Sequence, residues 1–331
     1  MVTQAETTDT TVPIPETPSP QSAQLVDIYR RQVRPRVDLW RPHGIRLHAL
    51  RTLTDLVGLA RLDRTATTWT ARHGTIGGTW LRATDAHAAN GVVLHLHGGG
   101  FVFGSHRSHR VLAHELSRAS RMPVFLPHYR RAPRYPFPAA ADDALTAYRE
   151  LLDRGIAPER IRVVGDSAGG HLAACLLADL ARSDLPMPAA AALYSPLLDL
   201  SCTRLHELDE KHTDPFISPL TTRRVCEAYL QGTDSSDPRV DVLGADKRDW
   251  PPTLIQVGDT ECLRVDAERM LESLRAANIP CELQVWPGQI HVFQGWANLP
   301  EARAANDYTG RFLRAHGADQ VTTHPTGANA R

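Results

Sequence analysis

A chain of 331 residues that is 42% hydrophobic and 22% charged can bury a sizeable core, which excludes wholesale disorder. Its 37 Lys and Arg residues balance 37 Asp and Glu, and a net charge of zero gives no basis for a nucleic-acid or anionic-membrane partner. Five scattered cysteines without a Cys-x-x-Cys pair indicate neither a zinc cage nor a disulfide framework.

Residues 1–23 are rich in Thr, Pro and Ser and read as a disordered tail. They lack the basic start and apolar stretch of a signal peptide, and no segment has the apolar length to cross a bilayer, so a cytoplasmic location is expected. Leu25, Ile28, Tyr29 and Val33, then Leu47, Leu50, Leu53, Leu56 and Val57, recur at three- and four-residue spacing and are interrupted by Pro35 and Pro42. This predicts short amphipathic helices over 25–62. The segments 67–71 and 79–82 read as an antiparallel hairpin around a Gly-containing turn at 73–78.

From there the pattern alternates. Strands are predicted at 92–97, 123–129, 160–165, 190–194, 253–257 and 281–286, and helices at 108–120, 139–154, 168–182, 265–277 and 301–314. Residues 200–225 read as an irregular insert and 317–331 as a second loose tail. Strands alternating with helical patterns predict one α/β domain over 24–316, with a mostly parallel central sheet and helices on both faces.

In open α/β sheets, ligands bind beyond the carboxyl ends of the strands. Here those ends are chemically loaded. The strand at 160 runs into Gly165-Asp166-Ser167-Ala168-Gly169-Gly170 and then a helical stretch, which is the strand–turn–helix context of a nucleophile elbow. An ordinary βα turn with an N-capping serine would look the same locally. The rest of the chain therefore has to supply a base, an acid and an oxyanion hole. The strand at 92 ends in His97-Gly98-Gly99-Gly100-Phe101, and the amides of Gly99, Gly100 and Ala168 are the candidate oxyanion donors. Of sixteen histidines, His291 stands apart because it follows a strand and a Pro-Gly turn late in the chain; His106, His109, His114, His206 and His212 read as surface or structural groups. The order nucleophile, acid, histidine then selects Ser167, either Asp259 or Glu261, and His291.

The two glycine motifs resemble those of the hormone-sensitive-lipase family of α/β-hydrolases, the microbial carboxylesterases and lipases. Tyr129-Arg130-Arg131-Ala132-Pro133, Phe137-Pro138-Ala139-Ala140 with Asp143, Ser195-Pro196-Leu197-Leu198-Asp199 and Gly288-Gln289-Ile290-His291-Val292-Phe293 resemble further family motifs. Arg134 stands where the family usually carries Glu, and His171 where Asn is common. The resemblance runs from about 25 to 315. It implies an α/β-hydrolase fold with a helical cap contributed by about 25–62 and 200–225, in which Trp40, Leu205, Phe216 and Ile217 are candidate pocket residues. The family places its acid two residues before a Leu and four or five before another acidic residue. Glu261, Leu263 and Asp266 fit that pattern, so the resemblance favours Glu261 and keeps Asp259 as the alternative acid.

The implied activity is that of a serine carboxylesterase acting on esters of short to medium acyl chains. No metal or organic cofactor is signalled, the partner is a small-molecule ester, and the resemblance allows a homodimer. Acyl transfer or lactone opening would use the same residues. A non-catalytic ligand-binding protein on a hydrolase scaffold is the alternative from another class, and the presence of Ser167, His291 and an acid together speaks against it.

Overall fold

The apolar runs that end in chemically loaded turns assemble into one sheet. A computed structural model describes residues 14–60, 66–73, 76–209, 213–234 and 236–317. Its eight strands are β1 (Thr67–His73), β2 (Ile76–Arg82), β3 (Val92–Leu96), β4 (Val124–Pro127), β5 (Ile161–Asp166), β6 (Ala190–Tyr194), β7 (Thr253–Gly258) and β8 (Cys281–Trp286). They lie in the order β1-β2-β4-β3-β5-β6-β7-β8. Only the hairpin edge is antiparallel, β1 on β2 and β2 on β4; β4, β3 and β5 to β8 run parallel.

The helices are α1 (Pro20–Ile28), α2 (Arg34–Leu39), α3 (Gly44–Ala60), α4 (Arg110–Ser120), α5 (Ala139–Asp153), α6 (Ala168–Arg182), α7 (His206–Asp209), α8 (Pro219–Leu230), α9 (Arg264–Ala276) and α10 (Pro300–Ala315). Every residue of β3 to β7 is buried, because both faces of the parallel sheet are covered. The two faces follow the period-two alternation of a strand. Leu94, Val163, Leu193 and Ile255 pack with Ala144, Leu172 and Met270 of α5, α6 and α9. Val93, Val164, Ala192 and Leu254 pack with Leu112, Leu116 and Leu313 of α4 and α10.

Three expectations change. Residues 14–23 belong to the fold and not to a tail: Ser19 caps α1 by accepting from Ser22 N at 3.2 Å, with Pro20 in the first turn. Ser19 Oγ then donates to Glu301 Oε2 at 2.9 Å, and Ser22 Oγ lies 2.9 Å from the same oxygen and 3.2 Å from Gln289 Oε1. The insert over 200–225 is partly helical, holding α7 and the start of α8, where Ser218 accepts from Thr221 N at 3.1 Å. The hairpin turn is shorter than 73–78, because Gly77 and Gly78 pair within β2; a Cβ on Gly78 would lie 2.0 Å from the Phe125 ring. The stretches 1–13 and 318–331, read as tails, and His212 lie outside the described residues.

Candidate active site

Gly165 and Asp166 close β5, and the chain then reverses into α6 through Ser167 at φ 55°, ψ −123°. A side chain in this region is strained and persists only where the surroundings enforce it. Here Ser167 N donates to Tyr194 O at 2.8 Å, and Ser167 O accepts from Gly170 N at 2.9 Å and Leu197 N at 3.1 Å. The turn also needs close backbone approach. A Cβ on Gly165 would lie 2.1 Å from Gly169 O, and one on Gly169 would lie 1.9 Å from Leu96 O.

That second contact brings the end of β3 beside the elbow. Gly98 N donates to Asp166 Oδ2 at 3.0 Å, and a Cβ on Gly98 would lie 3.1 Å from Ser167 Cβ. Gly99 and Gly100 take φ of 117° and 57°, the left-handed half that glycine enters without strain. The carbonyl of Gly99 accepts from Phe103 N at 2.9 Å, and among the described residues nothing accepts from the amides of Gly99 or Gly100. Those amides and Ser167 border one cavity.

Two buried histidines, His95 and His97, and the partly buried His109 pack beside this loop. Asp166 Oδ1 accepts from His95 Nε2 at 2.9 Å, and Oδ2 lies 3.2 Å from His109 Nε2. Burial alone would raise the Asp166 pKa; the charge and hydrogen bond of His109 and the hydrogen bond of His95 outweigh it and hold the carboxyl far below the usual range. Tyr129 O–H donates to His97 O at 2.7 Å, and burial drives His97 well below an ordinary imidazole, so it is neutral. His109 reads from sequence as a surface or structural histidine; it is structural, and its ring reaches the cavity wall.

The candidate base, His291, lies in the loop after β8. His291 Nδ1 lies 2.8 Å from Glu261 Oε2, which leaves Nε2 for another partner. Glu261 is fully buried, and its Oε1 accepts from Gly258 N at 2.6 Å and Ser195 Oγ at 2.7 Å. Ser195 Oγ in turn accepts from Val292 N at 3.0 Å, so Glu261 and the histidine loop share one hydroxyl. Burial would lower the His291 pKa, but the hydrogen bond and charge of Glu261, with the charges of Asp214 and Asp166, raise it. Asp259 turns elsewhere. Its amide donates to Trp286 O at 3.0 Å and its Oδ1 accepts from Gly288 N at 2.7 Å, which shapes the turn carrying His291.

Ser167, Gly99, Gly100 and His291 line a cavity of about 770 Å³. Tyr29, Val33, Val37 and Trp40 wall it on one side and Leu50, Leu53 and Val57 of α3 on another, with Phe216, Ile217 and Val225 from the insert. An edge-to-face series runs from Trp296 to Tyr29 and on to Phe216, whose ring centroid is 6.0 Å from that of His291. Of the four pocket residues read from sequence, Trp40, Phe216 and Ile217 reach the cavity and Leu205 does not. Leu205 is wholly buried in the core with Cys202, Cys226 and Tyr229, because the loop after β6 turns inward before α7. Ser195 and Asp214 also border the Glu261–His291 pair; in the sequence only the Ser-Pro-Leu-Leu-Asp and Asp-Pro stretches mark them.

The family model described as the alpha/beta hydrolase fold matches residues 93–295. The chain is 40% identical over 237 residues to an acetyl-hydrolase of Streptomyces hygroscopicus, covering 71% of this chain and 78% of that protein. It is 35% identical over 221 residues to an esterase of Acinetobacter venetianus, covering 66% of this chain and 73% of that protein. Among solved structures, an esterase from the bacterial hormone-sensitive lipase family superposes with a TM-score of 0.82 at 33% identity, covering 90% of this chain and 98% of that one. Among the described residues no helix is long and apolar enough to cross a membrane.

Proposed function

The chain belongs to the hormone-sensitive-lipase family of the alpha/beta hydrolase fold and is a carboxylic ester hydrolase, and from that premise we propose that it cleaves small esters of short to medium acyl chains through an acyl-enzyme on Ser167. The observation that carries this reading is the strained serine, the Glu261–His291 pair and the glycine amides bordering one apolar cavity.

A serine hydroxyl is a weak nucleophile and needs a base. His291, held by Glu261 at Nδ1, takes the Ser167 proton at Nε2 as Oγ attacks the ester carbonyl. The carbonyl oxygen becomes an oxyanion, which the amides of Gly99, Gly100 and Ala168 stabilise; each such donor contributes roughly 3–4 kcal/mol. The tetrahedral species collapses as His291 returns the proton to the departing alcohol. Water then attacks the acyl-serine with the roles reversed, releasing the acid and restoring Ser167. The similarity to an acetyl-hydrolase supports short chains.

The test is a hydrolysis profile across p-nitrophenyl esters from acetate to palmitate, with Ser167→Ala alongside. A preference for acetate and butyrate is expected, with loss of about 10⁴-fold or more in kcat for the variant. A wild-type serine that a fluorophosphonate does not phosphonylate, or a variant that retains turnover, would refute the mechanism.

A further inference from the structure

Asp214 takes no part in the proton path, yet it lies wholly buried beside it. Its carboxylate serves three backbone donors on two segments. Oδ1 accepts from Phe216 N at 2.8 Å and Ile217 N at 3.1 Å, and Oδ2 accepts from Cys262 N at 3.0 Å. Phe216 and Ile217 form a wall of the cavity, and Cys262 directly follows Glu261. The peptide of Asp214 is fixed as well: its N–H donates to Asp209 Oδ1 at 3.0 Å, and its carbonyl accepts from the guanidinium of Arg34, which pairs with Asp209 at 3.2 Å. Through Arg34 the anchor reaches α2.

Resting on the hydrolytic reading above, we infer that Asp214 is a positioning residue: it locks the pocket wall at Phe216 and Ile217 to the turn that carries Glu261, so substrate docking and the Glu261–His291 pair share one anchor. A neutral amide could not do the same work. Asn has one acceptor oxygen, and its NH₂ would face a backbone N–H on whichever side it turned. One of the two segments would be released.

The surroundings of the carboxylate are Glu261, His291 and the Cys262 thiol, with Arg34 and Asp209 on the loop side. Burial, then the charge of Glu261, raises its pKa to about 6. The anchor is therefore mostly charged at neutral pH and loses its charge as the pH falls through about 6. That charge is also among those that favour protonated His291.

The experiment compares full-length wild type with Asp214→Asn and Asp214→Glu on p-nitrophenyl acetate and butyrate between pH 5 and 9, with thermal melts of each. D214N is expected to lower kcat/KM about tenfold or more at pH 8, chiefly through KM, because the wall is displaced. It should also move the acid limb of kcat/KM to lower pH, since a negative charge beside His291 is gone. D214E keeps the charge on a longer stem, so KM should rise while the acid limb stays within a few tenths of a unit of wild type. A purely structural role would change melting temperature without moving the acid limb. The inference fails if D214N keeps the wild-type KM, kcat and acid limb. Should D214N not fold, D214E decides: a wild-type KM overturns the inference. A wild type that cleaves neither ester overturns the hydrolytic reading and the inference with it, whereas a cleaving wild type with unchanged variants overturns the inference alone.

Discussion

Two carboxylates two residues apart follow β7, and the difference between them is direction. Asp259 is still tied by its amide to Trp286 O, so its side chain meets the turn at Gly288. Glu261 lies one step into the turn toward α9, pointing inward to His291 and Ser195. Glu261→Ala should lower kcat by about 10⁴-fold, the loss expected when an imidazole loses its orienting acid. Asp259→Ala removes one hydrogen bond from the His291 turn, worth about 1 kcal/mol, and should lower kcat/KM by no more than about tenfold. Steady-state kinetics of both variants decide it, and a dead D259A beside an active E261A would reverse the assignment. The pH profile carries the same logic. Only neutral imidazole accepts the serine proton, and Glu261 holds the His291 pKa above its ordinary 6.5. The wild-type acid limb of kcat/KM should therefore be centred above 6.5, and Glu261→Gln should bring it down. Ser167, His291 and the glycine loop are legible in the sequence because each sits in a short motif after a strand. His109 and Asp214 are not, since their partners Asp166 and Cys262 lie 57 and 48 residues away in the chain.

At the scale of elements, the site depends on how closely α6 seats on β3. Periodicity and turn residues reveal both elements, but nothing in a periodic pattern shows that Gly169 is the contact. The glycine is required by the partner's backbone and not by its own φ. Gly169→Ala would set a methyl 1.9 Å from Leu96 O, and a backbone atom cannot swing aside as a side chain can. The helix would have to withdraw from the strand that feeds the glycine loop at Gly98 to Gly100. Overpacking of this kind destabilises by roughly 1–3 kcal/mol. The variant should show that loss in urea unfolding, together with a fall in kcat of at least about tenfold, because Ser167 and Gly99 are displaced relative to one another. Unchanged stability and kcat would show that the helix can shift freely. The core strands and helices of the sheet are legible to within a few residues because burial on both faces imposes apolar runs. The first half of α1 and the whole of α8 are not assigned by periodicity, yet both helices are announced by Ser-Pro at their first positions, a capping signal that Thr- and Pro-rich surroundings obscure at Ser19.

For the whole molecule, the segment from Ser19 to Ser22 closes on the last helix, and this decides whether the cavity has a wall. The segment from Tyr29 to Trp40 has little core of its own. It lines the cavity on one side, while its N-terminal end is fastened by Ser19 and Ser22 to Glu301 in the first turn of α10. Burial would raise the Glu301 pKa, but the Ser19 amide and the two hydroxyls lower it, so the acceptor is charged at neutral pH and well into acid. Composition alone reads this end as tail, because the fastening lies in polar contacts nearly the whole chain apart. Hydrogen bonds to a charged group contribute roughly 1.5–3 kcal/mol each, and here they stabilise docking of one segment and not folding of the sheet. Glu301→Ala should therefore leave the main unfolding transition of the sheet within a few degrees of wild type. It should raise KM for p-nitrophenyl butyrate several-fold and speed protease cleavage between residues 19 and 60. Kinetics and timed proteolysis followed by mass spectrometry read both effects. A variant with wild-type KM and no faster cleavage would mean that the apolar contacts of Tyr29 with Phe216 and Trp296 hold the segment without the carboxylate.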